Sequence, residues 1–353
     1  MKAMLASGLS WELAAEGLLQ VAGKDCEGEA AASALAALRT ALADRLLQLL
    51  GKLDDVLNSS EQIKRFCALQ LPVVEAVLAS DALAVDCEES VFCAVALWMD
   101  ASSLAHEEQL AAAACLLPRI RFANMRPANI ANYWHAYQWF REWDPDKQVL
   151  VEALVHAADP QLALVSAKVG GAKLAARFAW RHSYEKPTRL EFVSEIDVSA
   201  VEGSGTVILH GPSQYWAGAW WHVSCEVGFG GGQDNVGLYL RTSLPPGATF
   251  PEQGLVGCAA AVGVVLDFVL SARHQNGISV AWDSAHKASS VTLCPLRSPD
   301  AVRTKGTGRG WPSFVFKGTI DGAPITRANF KAAGSPVVRD GKMALHATVA
   351  FSS

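Results

Sequence analysis

The sequence predicts an α+β multidomain chain, an N-terminal α-helical bundle followed by an antiparallel β-sandwich. Three observations carry that expectation. Glycine occurs 7 times in residues 1–185 and 21 times in 186–353, and the first part holds 39 alanines. Alanine-rich, glycine-poor sequence favours helix, whereas Gly, Pro and Ser punctuation marks short strands. Formal charge divides at the same place, with 16 basic against 23 acidic residues before 186 (−7) and 14 against 12 after it (+2). The apolar period also changes there, from helical spacing to two. The length, 353 residues, agrees with two units, because a single core stops growing at roughly 250–300 residues.

In the first part, Leu46, Leu47, Leu49, Leu50, Leu53, Val56 and Leu57 form a stripe on one helix, Ala43–Leu57. Ser59 and Gln62 then write a capping-box start, and Pro72 suits the first turn of a helix carrying Val73, Val74, Val77 and Leu78. Asp86-Cys87-Glu88-Glu89 marks another start. Asp86 is the expected cap, and the two glutamates suit the positive helix end. That helix should bury Val91, Phe92, Val95 and Trp98. The last helix is expected to stop at Pro187, within a boundary at His182–Thr188.

In the second part, Leu190, Phe192, Ile196 and Val198 alternate with Glu191, Glu195 and Asp197, and Trp221, Val223, Cys225 and Val227 alternate with His222, Ser224 and Glu226. Val236, Leu238 and Leu240 follow a turn-like Gly230–Asn235 stretch. Further lines are Val262 to Leu270, Ile278-Val280-Trp282, and Met343 to Phe351. Half-buried strands at this density, without intervening helices, imply an antiparallel sandwich.

Composition excludes several classes. An apolar content of 51% rules out a disordered chain, and a net charge of −5 speaks against a dedicated nucleic-acid binder. The longest charge-free run, Gly203 to Cys225, contains Pro212, His210 and His222, so it is no membrane span. The first residues do not read as a secretory signal. Eight cysteines, mostly within apolar patterns, read as thiols of a reducing compartment. A soluble intracellular protein of the nucleus or cytoplasm is expected.

The stretch from Leu71-Pro72-Val73-Val74 through Asp86-Cys87-Glu88-Glu89-Ser90-Val91-Phe92 to Ala96-Leu97-Trp98, with Leu117-Pro118-Arg119-Ile120-Arg121-Phe122 after it, resembles the BACK domain. This helical module follows BTB (POZ) domains in ubiquitin-ligase adaptors. Val236–Leu240, Gly310–Phe314 and Val338–Val349 resemble, more weakly, the MATH (TRAF-like) sandwich. The order is similar to plant and green-algal BTB–BACK proteins. The resemblance implies a helical remnant of the end of a BTB domain at 1–40, a BACK domain at 41–140, a helical linker at 141–188 and a MATH-like sandwich at 189–353. A strand-rich BTB core is missing from this arrangement. The implied function is a non-catalytic adaptor recruiting a protein substrate to a cullin-RING ubiquitin ligase through the sandwich. Cullin contact is expected only where a BTB core is supplied. The alternative is a scaffolding protein with no ligase role.

No catalytic, cofactor or metal residue is assigned. Gly203-Ser204-Gly205 lacks the nucleophile-elbow spacing, and Gly306–Gly310 lacks the Walker Lys-Ser/Thr and reads as a loop. No C-x-x-C or H-x-x-x-H occurs. The candidate partner-binding surface is Tyr215, Trp216, Trp220 and Trp221. Consecutive Trp220 and Trp221 on a strand must face opposite ways, so one ring points away from the core. That ring either anchors a partner or packs beneath a loop or against the helices.

Overall fold

The computed structural model describes residues 8–22, 24, 28–158, 181, 189–199, 201, 205–229, 235–243, 264–273, 279–280, 291–293, 309–311, 319–320, 323–324 and 338–351. The chain divides into two units, Met1–Lys186 with Pro245–Pro251, and Pro187–Leu244 with Glu252–Ser353. The first unit carries the described helices α1 (Trp11–Val21), α2 (Glu29–Leu50), α3 (Leu53–Leu57), α4 (Ser60–Cys67) and α5 (Leu71–Ala79). After these come α6 (Glu88–Ala101), α7 (His106–Leu116), α8 (Pro127–Ala136), α9 (Gln138–Trp143) and α10 (Gln148–Ala158). Two 3-10 turns, Leu117–Arg119 and Phe122–Asn124, separate α7 from α8.

Local chemistry explains most of these boundaries. Ser59 accepts the Gln62 amide at the start of α4, and Pro72 occupies the first turn of α5, as the sequence predicts. Two expectations need correction. The Ala43–Leu57 helix is two helices, because Gly51 closes α2 with φ +71°, a conformation that side chains disfavour. The apolar stripe continues across the break, with Leu46, Leu50, Leu53, Val56 and Leu57 all buried. Asp86 is not the cap of α6. Cys87 holds that position without a side-chain bond, while Asp86 pairs with Lys52 at 2.5 Å.

Helix α6 is the axis of the unit. Every residue from Glu88 to Met99 is buried, the pattern of a helix surrounded on all sides. Phe92 lies within 4.2–6.5 Å, centroid to centroid, of Phe122, Tyr133, Tyr137, Trp139 and Phe140. Trp98 Nε1 donates to the Leu69 carbonyl at 2.8 Å, so the indole is buried with its polar edge satisfied. Asp144 starts α10 by accepting the amides of Gln148 (2.8 Å) and Val149 (3.2 Å). Of the linker expected at 141–188, residues 159–180 and 182–188 lie outside the described residues, as does Pro187.

The second unit carries β1 (Arg189–Asp197), β2 (Gly205–His210), β3 (Gln214–Trp216), β4 (Ala219–Phe229), β5 (Asn235–Ser243), β6 (Val264–Arg273) and β7 (Ser279–Val280). The remaining described strands are β8 (Val291–Leu293), β9 (Arg309–Trp311), β10 (Thr319–Ile320), β11 (Ala323–Pro324), β12 (Val338–Arg339) and β13 (Lys342–Phe351). One antiparallel sheet runs β1-β13-β6-β7, with β8 also on β6 and β12 on β13. Another runs β2-β4-β5-β9, with β3 also on β4, and β10 pairs with β11. The first described strand pairs with the last over nine residues, Arg189 opposite Ala350 through Asp197 opposite Lys342. The β12–β13 hairpin turns on Asp340 (φ 51°) and Gly341 (φ 74°), the two left-handed residues of a type I′ turn. The predicted order, helices and then antiparallel strands, is the observed α+β class.

Alternation on β1 is as expected. Leu190 and Ile196 are buried, while Glu191, Glu195 and Asp197 are exposed. Strand β4 departs from it. His222 and Ser224 are as buried as Trp221, Val223 and Cys225, so both faces of β4 are covered along this stretch. Arg309 and Gly310, read from sequence as part of a loop, belong to β9. Gly306–Gly308, Gly203-Ser204, Gly230–Asp234, Val262, Ile278 and Trp282 lie outside the described residues.

Candidate functional site

The aromatic quartet sits on the β3–β4 hairpin. Tyr215 lies opposite Trp220 and Gln214 opposite Trp221, so strand alternation places Tyr215 with Trp220 on one face and Trp216 with Trp221 on the other. The rings meet accordingly. Tyr215 contacts Trp220 edge-to-face at 4.8 Å, and Trp216 contacts Trp221 at 5.9 Å. The turn between the strands uses Ala217 at φ 52° and Gly218 at φ 94°. An alanine at positive φ is strained, and the aromatic side chains hold it there. Tyr215 Oη accepts the Gly218 amide at 3.1 Å, and Trp221 Nε1 donates to the Trp216 carbonyl at 2.9 Å.

The quartet is therefore mostly hairpin core. Tyr215, Trp216 and Trp221 are 2%, 6% and 2% exposed, and only Trp220 is half-buried. The surface expected of four residues narrows to one indole, because the other three rings are consumed in closing a strained turn.

The helical unit holds a second constellation, of buried carboxylates, that sequence reasoning missed. Glu88 and Glu89 sit in the first turn of α6, yet their carboxylates reach outward to other segments. Glu89 Oε1 accepts the Arg126 amide (3.0 Å), the Arg126 Nε (3.1 Å) and the Asn129 side-chain amide (3.0 Å). Glu88 Oε1 accepts the Arg121 amide at 3.0 Å. Both Glu88 oxygens also face the guanidinium of Arg181, with Nε at 3.0 Å from Oε2 and Nη2 at 2.7 Å from Oε1. Asp54, on α3, accepts the Asp86 amide at 2.8 Å and the Ser90 hydroxyl at 2.7 Å. Burial pushes the Asp54 carboxyl up to about 6, against the pull of those two bonds and of Lys52.

Chemically this arrangement fastens loops and does not expose reactive groups. Glu88 holds the segment entering the second 3-10 turn, Glu89 the start of α8, and Asp54 the entry to α6. One signal in the sequence pointed this way. A run from Ser90 to Met99 that is buried on every face forces the acids of its first turn inside, and buried acids need partners. The partners themselves, 33 to 93 residues away, carry no such signal.

Among the described residues no group of three or more His, Cys, Asp or Glu is placed to hold a metal ion, and no described helix is long and apolar enough to cross a membrane. Cys67, Cys87, Cys93, Cys115 and Cys225 are free thiols. An open cavity of about 240 Å³ beside α10 is lined by Leu117, Pro118, Ile120, Trp143, Asp144, Gln148 and Val149.

Residues 33–135 match the family model of the BACK domain, described as BTB And C-terminal Kelch. The match runs from within α2 to the end of α8 and includes Asp54, Glu88 and Glu89. Arg181 lies beyond it. No curated protein is found to resemble the chain.

Proposed function

We propose that the chain is a non-catalytic adaptor that recruits a protein substrate to a cullin-RING ubiquitin ligase. The observation that carries this reading is the BACK match over residues 33–135, since BACK modules are typical of BTB-containing adaptors of such ligases. The rigidity of the matched region supports it. A helix buried on every side and loops pinned by internal carboxylates suit a spacer that holds two recognition elements at a fixed distance. In this reading the strand unit is MATH/TRAF-like and receives the substrate, with Trp220 as an anchor at the hairpin surface. The protein works in the nucleus or cytoplasm, where buried thiols such as Cys87 and Cys93 stay reduced. The described elements before α3 are the helices α1 and α2, so the cullin contact draws on a BTB domain supplied by another chain or by sequence outside these residues.

The test uses the full chain with a purified cullin N-terminal domain, with and without a purified BTB domain, read by sedimentation and pull-down. A complex that forms only when the BTB domain is present supports the reading. Absence of cullin in both arms overturns the ligase role and favours a scaffolding protein. A stable dimer carrying stoichiometric cullin without a BTB domain overturns the BTB requirement. For the receptor surface, Trp220→Ala should cost only its Tyr215 contact, about 1 kcal/mol of stability, yet weaken binding of an affinity-purified partner by roughly 30-fold or more, the range of an interface hot spot. Unaltered binding withdraws Trp220 as the anchor.

A further inference from the structure

Arg181 is fully coordinated within the helical unit. Its guanidinium is buried, 3% exposed, and each N–H has an acceptor. Nε donates to Glu88 Oε2 at 3.0 Å. Nη1 donates to the carbonyls of Leu78 at 3.0 Å and Ser80 at 2.7 Å. Nη2 donates to Glu88 Oε1 at 2.7 Å and the Arg119 carbonyl at 3.2 Å. Those are the five donors a guanidinium possesses.

The acceptors belong to elements that are also held by hydrogen bonds not involving Arg181. Leu78 and Ser80 lie at the C-terminal end of α5, and Arg119 ends the 3-10 turn Leu117–Arg119. Helix C-termini leave carbonyls unpaired and carry partial negative charge, so two of them converging make a cation site. Glu88 adds the full charge and is held in place by the Arg121 amide, independently of Arg181. Ser80 is fixed by the hydrogen bond its amide donates to the Val77 carbonyl at 3.3 Å. The ligand comes from far along the chain, between the end of α10 at Ala158 and the start of β1 at Arg189.

We propose that the helical unit contains a preformed guanidinium-binding site, filled in cis by Arg181, that accepts a free alkylguanidinium once the Arg181 side chain is removed. Arg181 is thus a latch fastening the chain back onto the BACK-matched helices. A lysine does not substitute, because the three donors of an ammonium cannot satisfy five acceptors.

The experiment is chemical rescue on the full chain. Arg181→Ala should lower the Tm by about 10 °C, because it leaves the buried Glu88 carboxylate without its counter-charge. Low-millimolar propylguanidinium should restore several degrees in a saturable manner, as a ligand of the folded state does. Propylamine should not, wild type should show no gain, and Arg181→Lys should remain unrescued. Unchanged Tm in Arg181→Ala overturns the proposal, as does equal rescue by propylamine or an equal gain in wild type. Should Arg181→Ala not fold, proton exchange at Arg181 Nε–H in the wild type decides the matter. Exchange slowed at least 100-fold relative to free arginine supports the site, and exchange at the free rate overturns it. None of these readouts involves cullin or a substrate, so the outcome is independent of the proposed ligase role.

Discussion

Replacing Asp54 by asparagine should remove one defined component of the pH dependence of stability. Asp54 is 6% exposed, and burial raises its carboxyl from 3.8 to about 6. A tenfold change in proton affinity corresponds to about 1.4 kcal/mol, so the native state disfavours the ionised form by about 3 kcal/mol. The folded value lies above the unfolded one, so the native state binds the proton more tightly. The group's favourable contribution is complete below about pH 4. It is lost as pH rises from about 4 to 6 and is absent above that. An asparagine would not titrate, and its amide oxygen can still accept the Asp86 N–H while its NH2 donates to a rotated Ser90 hydroxyl. Urea unfolding of both proteins, followed by helical circular dichroism at pH 4, 5, 6 and 7, gives the difference curve. Asp54→Asn should gain about 3 kcal/mol relative to wild type across that range. A flat difference, or one of opposite sign, would refute the reasoning. It would mean that the bonds from Asp86 and Ser90 outweigh desolvation.

Three further outcomes follow from the packing. Phe92→Ala should cost about 3–5 kcal/mol in urea unfolding, because five aromatic neighbours lose their common contact; a loss under about 1 kcal/mol would deny that α6 is the axis. Asp144→Ala should destabilise by about 1–2 kcal/mol and increase amide exchange at Gln148 and Val149, which it caps. Alkylation at pH 8 followed by mass spectrometry should leave Cys87, Cys93 and Cys225 unmodified in the native protein, because all three are buried. Cys67, whose thiol burial raises to about 11, should react slowly, and rapid labelling would contradict that placement.

Much of the architecture was legible because its causes are local. Ser59, Pro72 and the alanine-rich, glycine-poor composition act within a turn or two, and the two-residue alternation of β1 follows from strand geometry alone. The adjacency of Trp220 and Trp221 required opposite faces in any strand. Tertiary structure decided what the other quartet members did. Tyr215, Trp216 and Trp221 were drawn into closing a turn that holds Ala217 at positive φ. It decided Gly51 as well, where a continuous apolar stripe concealed a break that only the backbone reveals. Above all it decided the carboxylates. Glu88 and Glu89 read locally as favourable charges at a helix start, and so they are. Their partners Arg121, Arg126 and Arg181 stand 33 to 93 residues away. An ion pair is set by distance in space, and sequence periodicity encodes only which face of an element is buried, not which buried group lies across from it.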